Sequence, residues 1–295
     1  DTYYPDDEDP RVVAQDTLAY IVIGLDGVTL NVKGAGNVID AAGTEITAGS
    51  VTIEQGGVLT VRATTSTNQA DNETLAQMLK GQSYIAVRDA GKLEVNGTLN
   101  VNVKELRLQE GGTIQMNAGS WAGWVYASEA DAGRGSLVVD GGTLNIDGLA
   151  GMDMYDVAIN GGVINVRGGE AGEGAGPGNS VRTSPSLGGY NSFVMTGGTV
   201  NLDNNGRLWS GKAYGDYQDM VFSGGTVNMI GENGSSYITG TVASDGRGNK
   251  LLFSGTTVNV QVDGRIDGRA IEIAGSTFNV AEGGELNFTS TYSTN

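Results

Sequence analysis

Leu137-Val-Val-Asp-Gly-Gly-Thr-Leu-Asn-Ile146 recurs as Val157-Ala-Ile-Asn-Gly-Gly-Val-Ile-Asn-Val166, as Phe193-Val-Met-Thr-Gly-Gly-Thr-Val-Asn-Leu202 and as Met220-Val-Phe-Ser-Gly-Gly-Thr-Val-Asn-Met229. Each copy reads apolar-x-apolar-polar, then Gly-Gly, then a β-branched residue followed by apolar-Asn-apolar. Alternation with period two on both sides of a Gly pair means two short strands joined by a bend. Leu137 and Val139 point one way, and Leu144 and Ile146 point to the same interior after the corner. Glycine supplies backbone angles that a Cβ disfavours, and Thr favours an extended chain.

Working outward, degenerate copies follow at 251–260 and 271–280, and earlier copies at 51–61, 93–101 and 106–116 vary by a residue at the turn. Partial units lie at 27–32 and 283–288. From Asn145 to Asn165 is 20 residues, as from Asn259 to Asn279, whereas Asn201 to Asn228, Asn228 to Asn259 and Asn165 to Asn201 span 27, 31 and 36. A minimum near 20 with additions above it fits one solenoid coil with loops inserted at one corner. A propeller blade would need about 40 to 50 residues. Stacked copies pair their strands in parallel about 4.8 Å apart, and the crossover preference makes the coil right-handed. The sequence therefore predicts an all-β, right-handed parallel β-helix of about eleven coils, a rod on the order of 50 Å long.

Around this single domain, placed at 18–288, the variation is local. Residues 1–17 form an acidic arm and 289–295 a polar tail. An insertion at 62–83 carries the one expected helix, over 71–80, with an Asp cap, an acid in the first turn, a basic end and a following Gly. Residues 168–189 read as a Gly-rich loop.

The Gly-Gly-Thr-apolar-Asn-apolar units resemble the repeats of autotransporter passenger domains and haemagglutinin-like β-helix surface proteins, over nearly the whole chain from Gly27. That resemblance implies secretion and adhesive, biofilm or autoaggregation roles, with a minority of enzymes. No outer-membrane barrel follows Asn295 in this sequence, so the resemblance implies either a removed barrel or a free-standing subunit. The opening at Asp1, without Met, is expected to follow removal of a signal peptide, an engineered start being the other reading. The expected location is secreted or cell-surface.

Composition narrows the chemistry. Acidic residues outnumber basic ones 34 to 17, for a formal charge of −17, which argues against nucleic acid and anionic membranes as partners. No apolar stretch approaches the ~20 residues of a membrane-spanning helix. With no His and no Cys, Ser-His-Asp and Cys-His catalysis and ordinary zinc sites are excluded. No metal site or cofactor is expected. Calcium is weakly supported, because Asp140-Gly-Gly-Thr departs from the calcium-binding nonapeptide pattern. Carboxylate catalysis would have to use acids such as Asp203, Asp216 and Asp219, with Arg207 and Lys212 for an acidic sugar. The expectation is that the chain is not an enzyme.

Two sets of residues are candidates for contact with partners. Trp124, Tyr126, Tyr155, Trp209 and Tyr237 each lie beside an aliphatic residue, 8 to 11 residues after a strand's outward amide. They would form an outward aromatic stripe for glycans or a neighbouring subunit. Leu18, Tyr20 and Val22 near the start, and Leu286 and Phe288 near the end, mark strand edges without an evident cap. The leading expectation is an extracellular structural or adhesive protein that self-assembles end to end or by strand exchange. The alternatives are a glycan-binding adhesin without polymerisation and a polysaccharide lyase or hydrolase. The repeated Asn (Asn31, Asn100, Asn145, Asn165, Asn201, Asn228, Asn259 and Asn279) is expected to face outward as a structural amide ladder.

Overall fold

Each coil holds three strands, not two, and the Gly-Gly corner joins the first to the second. The computed structural model describes residues 20–40, 43–62, 84–123, 135–168, 184–211, 217–231, 235–241 and 247–290. The acidic arm, the helix expected over 71–80 and the residues after 290 lie outside them. The first coil is formed by Tyr20–Ile23, Thr29–Val32 and Asn37–Asp40, and the last by Ala270–Ala274, Thr277–Val280 and Glu285–Ser290. Every pairing between coils is parallel, which makes the chain a parallel β-helix.

The second face is a 10-stranded sheet, which fixes ten coils among the described residues. The first and third faces form one 18-stranded sheet. They merge because Gly151–Ile159 and Ser186–Met195 run unbroken from the third face of one coil into the first face of the next. Ten coils at about 4.8 Å give a stack of about 48 Å. The eleventh unit read from the sequence, 283–288, is the third strand of the tenth coil. Likewise the units at 51–61 and 93–101 straddle the corner after the Gly-Gly one, joining second-face to third-face strands.

The Gly-Gly corner is close-packed from the fifth to the eighth coil, and Thr256 and Ser276 replace its second Gly in the ninth and tenth. Gly225 has φ of 77°, and a Cβ there would lie 2.7 Å from the Gly198 carbonyl oxygen in the coil below. The backbone ladder continues through this corner, with Thr199 N–H donating to the Gly162 carbonyl and Thr226 N–H to that of Gly198. Added residues fall elsewhere, at two corners rather than the one expected. Segments 169–183 and 232–234 fall between second- and third-face strands. Segments 63–83, 124–134, 212–216 and 242–246 fall between the third face and the next first face. The expected Gly-rich loop is also shorter than 168–189, since Ser186–Gly189 is strand.

Inward residues of the three faces make one core from Val32 to Ile266. Each fully buried Leu, Ile, Val or Met contributes roughly 1.5–3 kcal/mol relative to exposure. All five Phe of the chain are in ring contact along one path. Phe193, Phe222 and Phe253 follow one another at centroid distances of 5.7 and 4.8 Å, then Phe278 and Phe288 at 5.5 and 5.7 Å.

On the outside of the second face runs the amide ladder. Asn145 Nδ2 donates to Gln115 Oε1 at 3.0 Å, and Asn165, Asn201, Asn228, Asn259 and Asn279 each donate to the amide oxygen of the preceding coil at 2.7–2.8 Å. Two of the expected Asn stand apart from it. Asn100 is on the third face, where it donates to Thr60 Oγ1 at 3.0 Å, and Asn31 lies opposite Thr52.

Candidate functional site on the third face and at the coil ends

Alternation decides which third-face residues reach the outside. Leu99, Ala122, Met152, Leu187, Leu208, Ile238 and Ile266 point inward and are 0–1% exposed. The residues between them form two outward columns. One runs Trp121, Gly151, Ser186, Arg207, Tyr237 and Arg265, and the other Gly123, Asp153, Gly188, Trp209, Thr239 and Asp267.

The two tryptophans lie against glycines. The Trp121 indole N–H donates to Asp153 Oδ2 at 2.9 Å, one coil further on, and a Cβ on Gly123 would lie 2.7 Å from the Trp121 ring. Trp209 covers Gly188, where a Cβ would overlap its indole, and meets Tyr190 edge to face at 5.1 Å. These glycines let flat rings settle on the sheet.

From the coil of Trp209 onward one column carries arginines. Arg207, Tyr237 and Arg265 follow one another in consecutive coils. Arg265 Nε is 2.7 Å from Asp267 Oδ2, and this contact holds the Arg265 pKa above its ordinary value. Burial pushes the Arg207 guanidinium below its ordinary value, against the opposing charge of Asp267. Among the described residues the buried Arg207 Nε and Asp267 Oδ1 have no hydrogen-bond partner. Polar atoms left in this state attract a ligand group or water that can satisfy them.

The structure therefore brings together part of the expected stripe. Trp209 and Tyr237 are half-buried on the outer third face of the seventh and eighth coils, in neighbouring columns. Tyr155 does not join them. It is 3% exposed, because the strand carrying it turns the corner with a register shift between Met154 and Asp156, and alternation fails there. Trp124 and Tyr126 lie outside the described residues. Sequence reasoning missed Trp121, Tyr190 and Arg265. The signal for Trp121 was its place before inward Ala122, but the third face has no repeating motif against which to register it.

Of the acids that carboxylate catalysis would need, the two among the described residues lie at different corners of the coil. Asp203 ends a second-face strand and Asp219 precedes a first-face strand, with the whole third-face strand Arg207–Ser210 between them. Asp219 accepts from the Lys250 backbone N–H at 3.2 Å. Asp216 and Lys212 lie outside the described residues. Among the described residues no cluster of three metal-ligating side chains occurs, and no helix is long and apolar enough to cross a membrane.

The ends differ from the middle. Inward Leu30 in the first coil is 41% exposed, and Ile273, Val280 and Phe288 in the tenth are 49, 45 and 46% exposed. Leu286 is partly buried against the core. Val22 is 61% exposed and pairs with outward Glu45, so the inward edge of that strand is Ile23 rather than the expected Val22. Tyr20 begins the first strand, opposite Gly43, and Leu18 is outside the described residues.

Fold and surface together define a parallel β-helix with an aromatic and arginine-bearing outer face. The chain is similar to the crystal structure of the TibC-catalysed, hyper-glycosylated TibA fragment, at 11% identity over 92% of this chain and 96% of that one, with a TM-score of 0.35. No protein-family model and no curated protein matches it.

Proposed function

We propose that this chain is a secreted or cell-surface structural and adhesive rod, without enzymatic activity, that binds glycans through its third face. The observation that carries the reading is the grouping of Trp209, Arg207, Tyr237 and Arg265 on one outer face across three successive coils, with Tyr190, at the adjoining corner, against Trp209. Aromatic rings offer faces to sugar C–H groups, and the arginines pair with the carboxylates of acidic sugars. Binding to a panel of neutral and acidic oligosaccharides tests this. Trp209→Ala with Tyr237→Ala should weaken binding by about tenfold, or ~1.4 kcal/mol. Unchanged binding by the double variant would remove the site.

A second reading, assembly by the coil ends, is favoured by a separate observation. Core residues that are fully covered in the middle coils stand open in the first and tenth. Unpaired strand edges over exposed apolar side chains are templates for a further strand.

A further inference from the structure

The two ends match along the second face. The first coil carries Thr29-Leu-Asn-Val32, and the tenth carries Thr277-Phe-Asn-Val280. The three coils after the first carry Ser-Val-Thr-Ile, Lys-Leu-Glu-Val and Thr-Ile-Gln-Met instead. The ladder pattern thus reappears in the first coil, where its neighbour offers Thr52 rather than an amide.

Polarity adds a second match. Along the ladder each amide nitrogen donates to the preceding coil, so Asn279 spends Nδ2 on Asn259 and leaves Oδ1 facing the open end. Asn31, at the opposite end of the same face, is exposed and makes no side-chain hydrogen bond within the described residues. One end presents an acceptor and the other a donor.

We infer that the first coil of one chain stacks in parallel on the tenth coil of a second copy, with Asn31 donating to Asn279 of the partner copy. In this register exposed Leu30 covers half-buried Phe278, and Val32, itself 5% exposed, covers exposed Val280, continuing the inward apolar rows. The third face contributes less. There Asn37 occupies the position opposite inward Leu59 and donates to the carbonyls of Lys33, Gly34 and Val58 at 2.9–3.2 Å, closing that edge. The inference rests on the assembly reading and adds to it a partner, a direction and a register.

The absence of cysteine makes the test specific. Full-length Thr29→Cys and Thr277→Cys chains are mixed under mild oxidation. The register puts their Cα atoms about 4.8 Å apart, within the range of about 4.4–6.8 Å that a disulfide spans. The expected result is a mixed dimer, with no such product when Thr257→Cys, one coil inside, replaces Thr277→Cys. Asn31→Asp, which cannot donate, should weaken self-association of the unmodified ends by about tenfold. If the native chain self-associates in ultracentrifugation but Thr277→Cys links only to itself, or no mixed dimer forms, the register is wrong while assembly stands. A chain that stays monomeric at every concentration overturns both.

Discussion

Asn201→Asp is a sharp perturbation of the amide ladder. Asn201 donates to Asn165 Oδ1 and accepts from Asn228 Nδ2, both at 2.7 Å and both partly buried. A carboxylate there still accepts from Asn228 but has no proton for Asn165. One net hydrogen bond, about 0.5–1.5 kcal/mol, is lost, and a shielded acceptor is left unpaired at a cost of roughly 1–3 kcal/mol. The sum is about 1.5–4.5 kcal/mol. With an unfolding entropy near 2.1 cal/mol/K per residue, that corresponds to a fall in Tm of about 2–7 °C for a chain of this length. The effect should depend on pH. The introduced carboxyl, when protonated, can donate to Asn165, so the folded state raises its pKa above the unfolded value of about 3.9. The cost is therefore absent below the unfolded pKa, grows as pH rises through it, and is complete above the folded pKa. The assay is thermal unfolding of variant and native chain side by side at acid and neutral pH. A difference that stays within about 1 °C at neutral pH, or that does not shrink in acid, would refute the ladder's contribution.

Two further perturbations separate packing from conformation and charge. Gly56 and Gly225 share a positive φ, 76° and 77°, but a Cβ at Gly56 meets nothing within 4 Å, while at Gly225 it meets the backbone of the coil below. Both Ala variants should lose about 1–2 kcal/mol to strain, and Gly225→Ala about 1–3 kcal/mol more to overpacking, read by urea unfolding. Equal losses would contradict the close-packed corner. Glu45 accepts from Arg88 at 2.8 Å and from the Tyr84 hydroxyl at 2.9 Å, and its pKa is held below the ordinary value chiefly by the Arg88 bond and then by Tyr84. Its contribution is present above the unfolded pKa and is lost as pH falls through the folded one. Glu45→Gln should therefore lie closer to the native chain in acid than at neutral pH, and a gap independent of pH would argue against the pairing.

The second face was legible in the sequence because it repeats. From the fifth coil on, apolar-Asn-apolar marks the same positions in every coil, and from the fifth to the eighth a Gly-Gly pair precedes it where a Cβ would meet the backbone of the coil below. The third face was not legible as a face. Its strands read Trp121-Ala-Gly123, Gly151-Met-Asp153 and Arg207-Leu-Trp209, which share only an inward apolar residue at the centre. A period of two shows that a strand exists but not which corner it follows. The same ambiguity lets 283–288 read as a further coil and lets 51–61 and 93–101 read as Gly-Gly corners. Tyr155 illustrates the same limit. Its place after Met154 predicts an outward ring, but at a corner without a loop Met152, Asp153, Met154 and Tyr155 are all buried. The outward placement of Trp209 and Tyr237 is legible because both stand inside regular strands, where alternation holds.

The stacking of ten three-stranded coils is tested most directly by distances along the second face. Spin labels on cysteines at Thr277 and, in separate chains, Thr143, Thr113 or Thr29, diluted with unlabelled chain, lie five, six and nine coils apart in the pairing register. The account predicts backbone separations of about 24, 29 and 43 Å, one increment of about 4.8 Å per coil whatever the number of intervening residues. Separations that instead follow sequence distance, or that fail to rise from Thr143 to Thr29, would contradict it.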